Sequence, residues 1–171
     1  MICFLDRDGI FNVDYGYVGS IERFTWNQTI FDILLYLKGL GYQFVLVTNQ
    51  SGIGRGYYSL SDFYDLTFYL LNYLSDKYSI DLEVNYCPHR PSFGCNCRKP
   101  SPGMFLRYDI GENDIMIGDN ASDMQAAFSA GVKHRWLVSE KPSGPYTHFC
   151  NQLDSLYKAL LQGQLIRTAI P

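Results

Sequence analysis

The sequence has no run of basic residues, and its acidic side chains outnumber the basic ones, 17 against 14, for a formal net charge of −3. That argues against nucleic acid as a partner, because sequence-independent phosphate binding needs a clustered positive face. No stretch approaches the ~20 apolar residues that cross a bilayer, so no membrane partner is expected. The N-terminus, MICFLDRDG, lacks a basic segment followed by a long apolar one, and it does not read as a signal peptide. The expected location is the cytoplasm. Cysteine is scarce outside one loop. Cys3 and Cys150 stand apart in apolar or aromatic surroundings and read as small buried hydrophobes rather than a disulfide framework. The glycines of GIGRG lack the lysine of G-x-x-x-x-G-K-[ST], which excludes a P-loop. His134 and His148 have no clustered partners and read as surface or packing residues.

What is present is an ordinary globular composition: 171 residues, 47% hydrophobic, 18% charged, mean hydropathy −0.11. That length reads as a single domain spanning 1–171, with a flexible tail from about residue 163. Short apolar runs at 2–5, 42–47, 82–86, 114–118 and 134–138 read as buried strands. Between them, helical periodicity covers about 29–38, 59–78, a short stretch 102–108, about 122–130 and 151–163. Ser59 or Ser61 is placed to cap the second helix, and Gly131 to close the fourth. Strands apolar on both faces and separated by helices give a doubly wound α/β fold with a mostly parallel sheet.

Open parallel sheets bind ligands at the carboxyl ends of their strands. Asp6 and Asp8 leave the first strand, Thr48 and Asn49 the second and Asp119 the fourth, while Lys99 follows the third strand and its cysteine loop. Taken singly, an aspartate after a strand is a turn former or helix cap. Together, the set suits a phosphate ester and a magnesium ion. Asp6 and Asp119 offer hard oxygen ligands. A carboxylate here can serve as the nucleophile of an aspartyl-phosphate mechanism. Asp8 can protonate a leaving alcohol and later activate water. The Thr48 hydroxyl, the N–H groups of the NQSG loop and the Lys99 ammonium can hold phosphoryl oxygens.

Residues 85–100, NYCPHRPSFGCNCRKP, contain Cys87, His89, Cys95 and Cys97, four soft ligands that suit a closed, structural zinc site. Three reduced thiols without metal are the alternative. With no ligand position open, zinc reads as scaffolding that orders the loop just before Arg98 and Lys99. Arg90 and Arg98 can then face a second anionic group on the substrate.

The motifs FLDRDG, VTNQSG, RKP and IGDNASD stand in the order and strand context of the four motifs of the haloacid dehalogenase (HAD) superfamily of phosphatases. More narrowly, DRDGIFNVDYGYV, NQSGIGRGYY, CPHRP…CNCRKPSPGM and SDMQAA resemble the D-glycero-D-manno-heptose 1,7-bisphosphate 7-phosphatases. The resemblance implies a HAD-like, Rossmann-type domain with a minimal cap made of the insert after the first strand and the zinc loop. It implies Asp6 as nucleophile, Asp8 as acid/base, and Thr48 and Lys99 as phosphoryl stabilisers. Magnesium is implied at Asp6, Asp119 and the Asp8 backbone carbonyl. Substrate contacts are implied from Asp14, Tyr15, Gly16, Tyr17, Asn49, Gln50, Ser51 and Arg98, with Asp123 in a supporting part. The implied activity removes the 7-phosphate of the heptose bisphosphate, on the route to nucleotide-activated heptose for surface polysaccharide such as lipopolysaccharide or capsule. The rival is histidinol-phosphate phosphatase of histidine biosynthesis. The five-residue gap between His89 and Cys95 resembles the rival, while NVDYGYV and PGM resemble the heptose enzymes. A small phosphorylated sugar is therefore the expected partner, and a monomer the expected state.

Overall fold

A computed structural model describes residues 1–165. Six strands form one parallel sheet: β1 (Ile2–Leu5), β2 (Gln43–Asn49), β3 (Leu82–Cys87), β4 (Ile115–Gly118), β5 (His134–Val138) and β6 (His148–Cys150), in the order β3-β2-β1-β4-β5-β6. The chain builds outward from β1 to β3, then returns to the other side of β1 and builds outward again. The direction reverses between β1 and β4, and the crevice above their carboxyl ends is where such folds bind ligands.

The period-two alternation of each strand sorts its side chains into two cores. Cys3 and Leu5, Phe44 and Leu46, Ile115 and Ile117, and Trp136 and Val138 face one side. There they meet α1 (Thr29–Gly39), α3 (Leu60–Tyr78) and α5 (Leu153–Leu161) through Ile33, Leu37, Leu66, Leu70 and Leu156. Phe4, Val45, Val47, Met116 and Leu137 face the other side, against Met124 and Ala127 of α4 (Ala121–Ala130) and against Phe105. Cys3 and Cys150 are both buried, as expected of small hydrophobes. Ser59 caps α3 by accepting the Asp62 N–H at 3.1 Å while Asp62 accepts the Ser59 N–H at 2.7 Å. Gly131 ends α4 in the left-handed conformation, φ +92°.

Three elements differ from expectation. Residues 102–108 form successive turns instead of a helix, with Phe105 N–H bonded to Pro102 and Tyr108 N–H to Phe105. Gly103 explains why: its N–H bonds to the Asn96 carbonyl, and a Cβ there would lie 2.2 Å from that oxygen. The cysteine-loop backbone therefore dictates the path, while Met104 and Phe105 are both drawn under the sheet. Second, the loop after β2 contains one short helix, α2 (Ser51–Arg55). Third, β6 is only three residues long, too short to show a period. His148 on it is buried and stacks on Trp136. Of the tail, Leu165 is buried and accepts the Trp136 indole N–H at 3.2 Å; residues 166–171 lie outside the described residues. Among the described residues no helix is long and apolar enough to cross a membrane.

Candidate active site

β1 and β4 end side by side, so Asp6 and Asp119 emerge next to each other over the switch point. The Asp6 N–H is held by the Ile117 carbonyl at 3.1 Å. Gly9, at φ +84°, lets the turn after β1 fold back against Asp119, where a Cβ would sit 2.2 Å from Oδ2. Asp123, in the first turn of α4, accepts the Asn120 N–H through Oδ2 at 3.0 Å and turns Oδ1 toward Lys99 at 2.6 Å. Asp6, Asp119 and Asp123 thus offer carboxylate oxygens within 4.8 Å of one another.

One ammonium sits among these three acids. Lys99 is buried, with Nζ 3.0 Å from Asp6 Oδ1 and donating to the Val47 carbonyl at 2.6 Å. Burial works against its charge, but Asp123 and Asp6 outweigh it and hold the lysine well above its ordinary value. The carboxylates remain crowded. Burial, with Asp123 and Asp8 nearby, pushes Asp6 up to about 7, against the pull of Lys99. Burial, with Asp6 and Asp123, pushes Asp119 up to about 8. Hard oxygen donors with excess negative charge are what a magnesium ion requires, so the donor set fits that ion.

Asp8 stands beside this cluster. Arg7 Nη2 donates to both its oxygens at 3.0 Å, Asn12 Nδ2 to Oδ1 at 3.0 Å, and Gln50 Nε2 to Oδ2 at 3.1 Å. Thr48, buried at the end of β2, accepts from the same Gln50 nitrogen at 2.8 Å. Asp8 and Thr48 line a cleft of about 380 Å³ together with Asp6, Lys99, Asp119 and Asp123. Asp14, Gly16, Tyr17, Asn49, Gln50, Ser51 and Arg98 line it as well. Tyr15 does not; its side chain is largely exposed outside the lining. Asn49 lines the cleft, but its amide is spent on the Lys99 backbone, donating to the carbonyl and accepting the N–H, each at 3.0 Å. Arg98 reaches the cleft, whereas Arg90 is exposed and outside it.

Behind Lys99, Cys87, His89, Cys95 and Cys97 converge. The sulfur–sulfur distances are 3.3–3.6 Å, and His89 Nδ1 lies 3.6 Å from Cys87 and 3.3 Å from Cys97. These are too long for disulfides and close to the ~3.7 Å edge of a tetrahedron with ~2.3 Å zinc–sulfur bonds. The four ligands therefore fit zinc. The start of the loop is tied to the segment after β2. The Cys87 carbonyl accepts the Gln50 N–H at 2.8 Å, and Gly54 N–H bonds the Pro88 carbonyl at 2.9 Å.

Several site residues carried no sequence signal of their own. Arg7 was legible only as the middle of D-x-D, and Asn12 only as one position of DRDGIFNVDYGYV with no role attached. Tyr58, whose hydroxyl bonds Gln50 Oε1 at 2.6 Å, was one tyrosine among 14.

No family model matches the chain. It is 46% identical over 145 residues to the D-glycero-beta-D-manno-heptose-1,7-bisphosphate 7-phosphatase of Helicobacter pylori J99, covering 81% of this chain and 83% of that protein. The D-glycero-alpha-D-manno-heptose-1,7-bisphosphate 7-phosphatase of Campylobacter jejuni is 44% identical over 144 residues, covering 81% and 82%. Among solved structures, the D,D-heptose 1,7-bisphosphate phosphatase of B. bronchiseptica, complexed with magnesium and phosphate, superposes with a TM-score of 0.79 at 31% identity, covering 95% of this chain and 98% of that one. Sequence, fold and the strand-end site agree: the chain belongs to the D-glycero-D-manno-heptose 1,7-bisphosphate 7-phosphatase family of HAD phosphatases.

Proposed function

We propose that this phosphatase removes the 7-phosphate of D-glycero-D-manno-heptose 1,7-bisphosphate by way of an aspartyl-phosphate on Asp6. The observation that carries the reading is the meeting of Asp6, Asp8, Thr48, Lys99 and Asp119 in one cleft at the switch point. It is joined by the names of the relatives at 42–46% identity. Asp6 Oδ1 is engaged by the Arg7 N–H and Lys99, leaving Oδ2 to attack phosphorus. Thr48 and Lys99 hold the phosphoryl oxygens while charge moves onto them. Asp8 gives its proton to the departing sugar oxygen. It then takes one from the water that opens the acyl phosphate, returning Asp6 and releasing phosphate.

Asp6, Asp119 and the Asp8 backbone carbonyl would hold magnesium, which supplies charge neutralisation between the acids and the phosphate ester. Cys87, His89, Cys95 and Cys97 would hold zinc as a structural clasp. Asp14, Gly16, Tyr17, Ser51 and Arg98 are placed to touch substrate, while Asn49 lines the cleft and holds the Lys99 backbone beside them. Among them Arg98 supplies the positive charge suited to the second phosphate.

The test is phosphate release with magnesium on α- and β-heptose 1,7-bisphosphate and on histidinol phosphate at matched concentration. A strong preference for one heptose anomer is expected and names the pathway. A preference for histidinol phosphate would keep the chemistry and overturn the substrate.

A further inference from the structure

Asp8 must face the leaving oxygen in a fixed orientation, and Thr48 must keep its hydroxyl hydrogen for the phosphoryl group. Both depend on Gln50, which is buried and bonded to each of them. Arg7 and Asn12 already donate to the Asp8 oxygens, and the Gln50 nitrogen, not its oxygen, completes that set by donating to Oδ2. That choice leaves Oε1 facing Tyr58, whose hydroxyl has to donate; the separation is 2.6 Å. It also makes Thr48 Oγ1 an acceptor from Gln50 Nε2, which leaves the threonine hydrogen available to a substrate oxygen.

Tyr58 is built into place. A Cβ at Gly19 would come within 2.3 Å of its ring, and one at Gly52 within 2.1 Å. Two glycines, one in the insert after β1 and one in α2, thus form the slot that the ring fills. Burial pushes the Tyr58 hydroxyl up to about 12, so it stays a donor throughout the neutral range.

Resting on the function proposed above, we infer that Tyr58 is a positioning residue. Through Gln50 it fixes the direction of a one-way hydrogen-bond chain, Tyr58 to Gln50 to Asp8 and Thr48, that orients the acid/base and the phosphoryl-binding hydroxyl together. Without the phenolic donor, the Gln50 amide loses the partner that opposes its rotation. Asp8 and Thr48 then spend less time in the competent arrangement. The loss should fall on turnover and not on substrate affinity, because Tyr58 acts behind Gln50.

Tyr58→Phe tests this, since phenylalanine keeps the ring in its glycine slot. With heptose 1,7-bisphosphate and saturating magnesium, kcat should fall about fivefold or more, with KM changed by less than about threefold and an unaltered melting temperature. A smaller loss of kcat, or a KM rise beyond that limit, overturns the relay. Gln50→Leu provides the second arm. It removes the amide that links Tyr58 to Asp8 and Thr48, so adding Tyr58→Phe to it should lower kcat by less than about twofold further. A Tyr58→Phe deficit as large in the Gln50→Leu background as in the wild type overturns the chain. Inactivity of the wild-type enzyme on the heptose would instead refute the proposed function. An active wild type with an unimpaired Tyr58→Phe refutes the relay alone.

Discussion

Replacing Asp119 by asparagine should stabilise the metal-free protein while abolishing its response to magnesium. Asp119 is pushed from the ordinary 3.8 up to about 8, by burial first and by Asp6 and Asp123 next. Each pH unit of displacement is worth about 1.4 kcal/mol, so ionising this group in the folded chain costs on the order of 5 kcal/mol. Relaxation of the site and its opening to solvent cut the realised figure to about 2 kcal/mol. The sign follows from proton counting. Between about pH 4 and pH 8 the folded state holds a proton on Asp119 that the unfolded chain has lost, so stability falls as pH rises through that window. Asparagine removes the loss. Urea unfolding in magnesium-free buffer, without a chelator that would strip the cysteine cluster, should show the two proteins alike near pH 4 and the variant about 2 kcal/mol more stable near pH 8. Millimolar magnesium should raise the wild type and leave the variant unmoved. A variant less stable than wild type near pH 8 without magnesium would refute the reasoning that these acids are frustrated by one another.

Asp6→Asn should lower phosphate release by about 10³-fold or more while leaving the fold intact, read by kcat and circular dichroism. Lys99→Met removes the ammonium between Asp6 and Asp123; kcat should fall by about 10²-fold or more. Its melting temperature should drop more at about pH 8 than at about pH 5, where protons can replace the missing cation. Gly9→Ala forces a Cβ onto Asp119 at a left-handed backbone position, so the half-saturating magnesium concentration should rise with little change in the zinc loop. Cys95→Ala opens the Cys/His cluster, and zinc content and kcat should fall together because the Gln50 N–H bonds the Cys87 carbonyl and Lys99 follows Cys97 by two residues.

The fold was legible because its strands are apolar on both faces and its helices carry ordinary stop signals: Gly131 after α4, Ser59 before α3. The candidate site was legible for the same reason, since Asp6 and Asp119 directly follow strands, Thr48 closes one and Lys99 follows another through the cysteine loop, and strand ends meet at one edge. What escaped was set by tertiary contact. The segment 102–108 has helical periodicity, but Gly103 is pressed on the Asn96 backbone and turns replace the helix. Asn49 reads from its position as a substrate contact, yet its amide clamps the Lys99 backbone. Tyr58 owes its place to glycines 39 residues before and six residues before it, a slot no local pattern displays.

The central claim is that Asp6 carries the phosphoryl group. Rapid acid quench of the enzyme turning over heptose 1,7-bisphosphate, followed by peptide mass spectrometry, tests it directly. A phosphoryl adduct is expected on the N-terminal peptide at Asp6 and absent from Asp6→Asn. Full turnover by Asp6→Asn, or an adduct on another residue in the wild type, would contradict it.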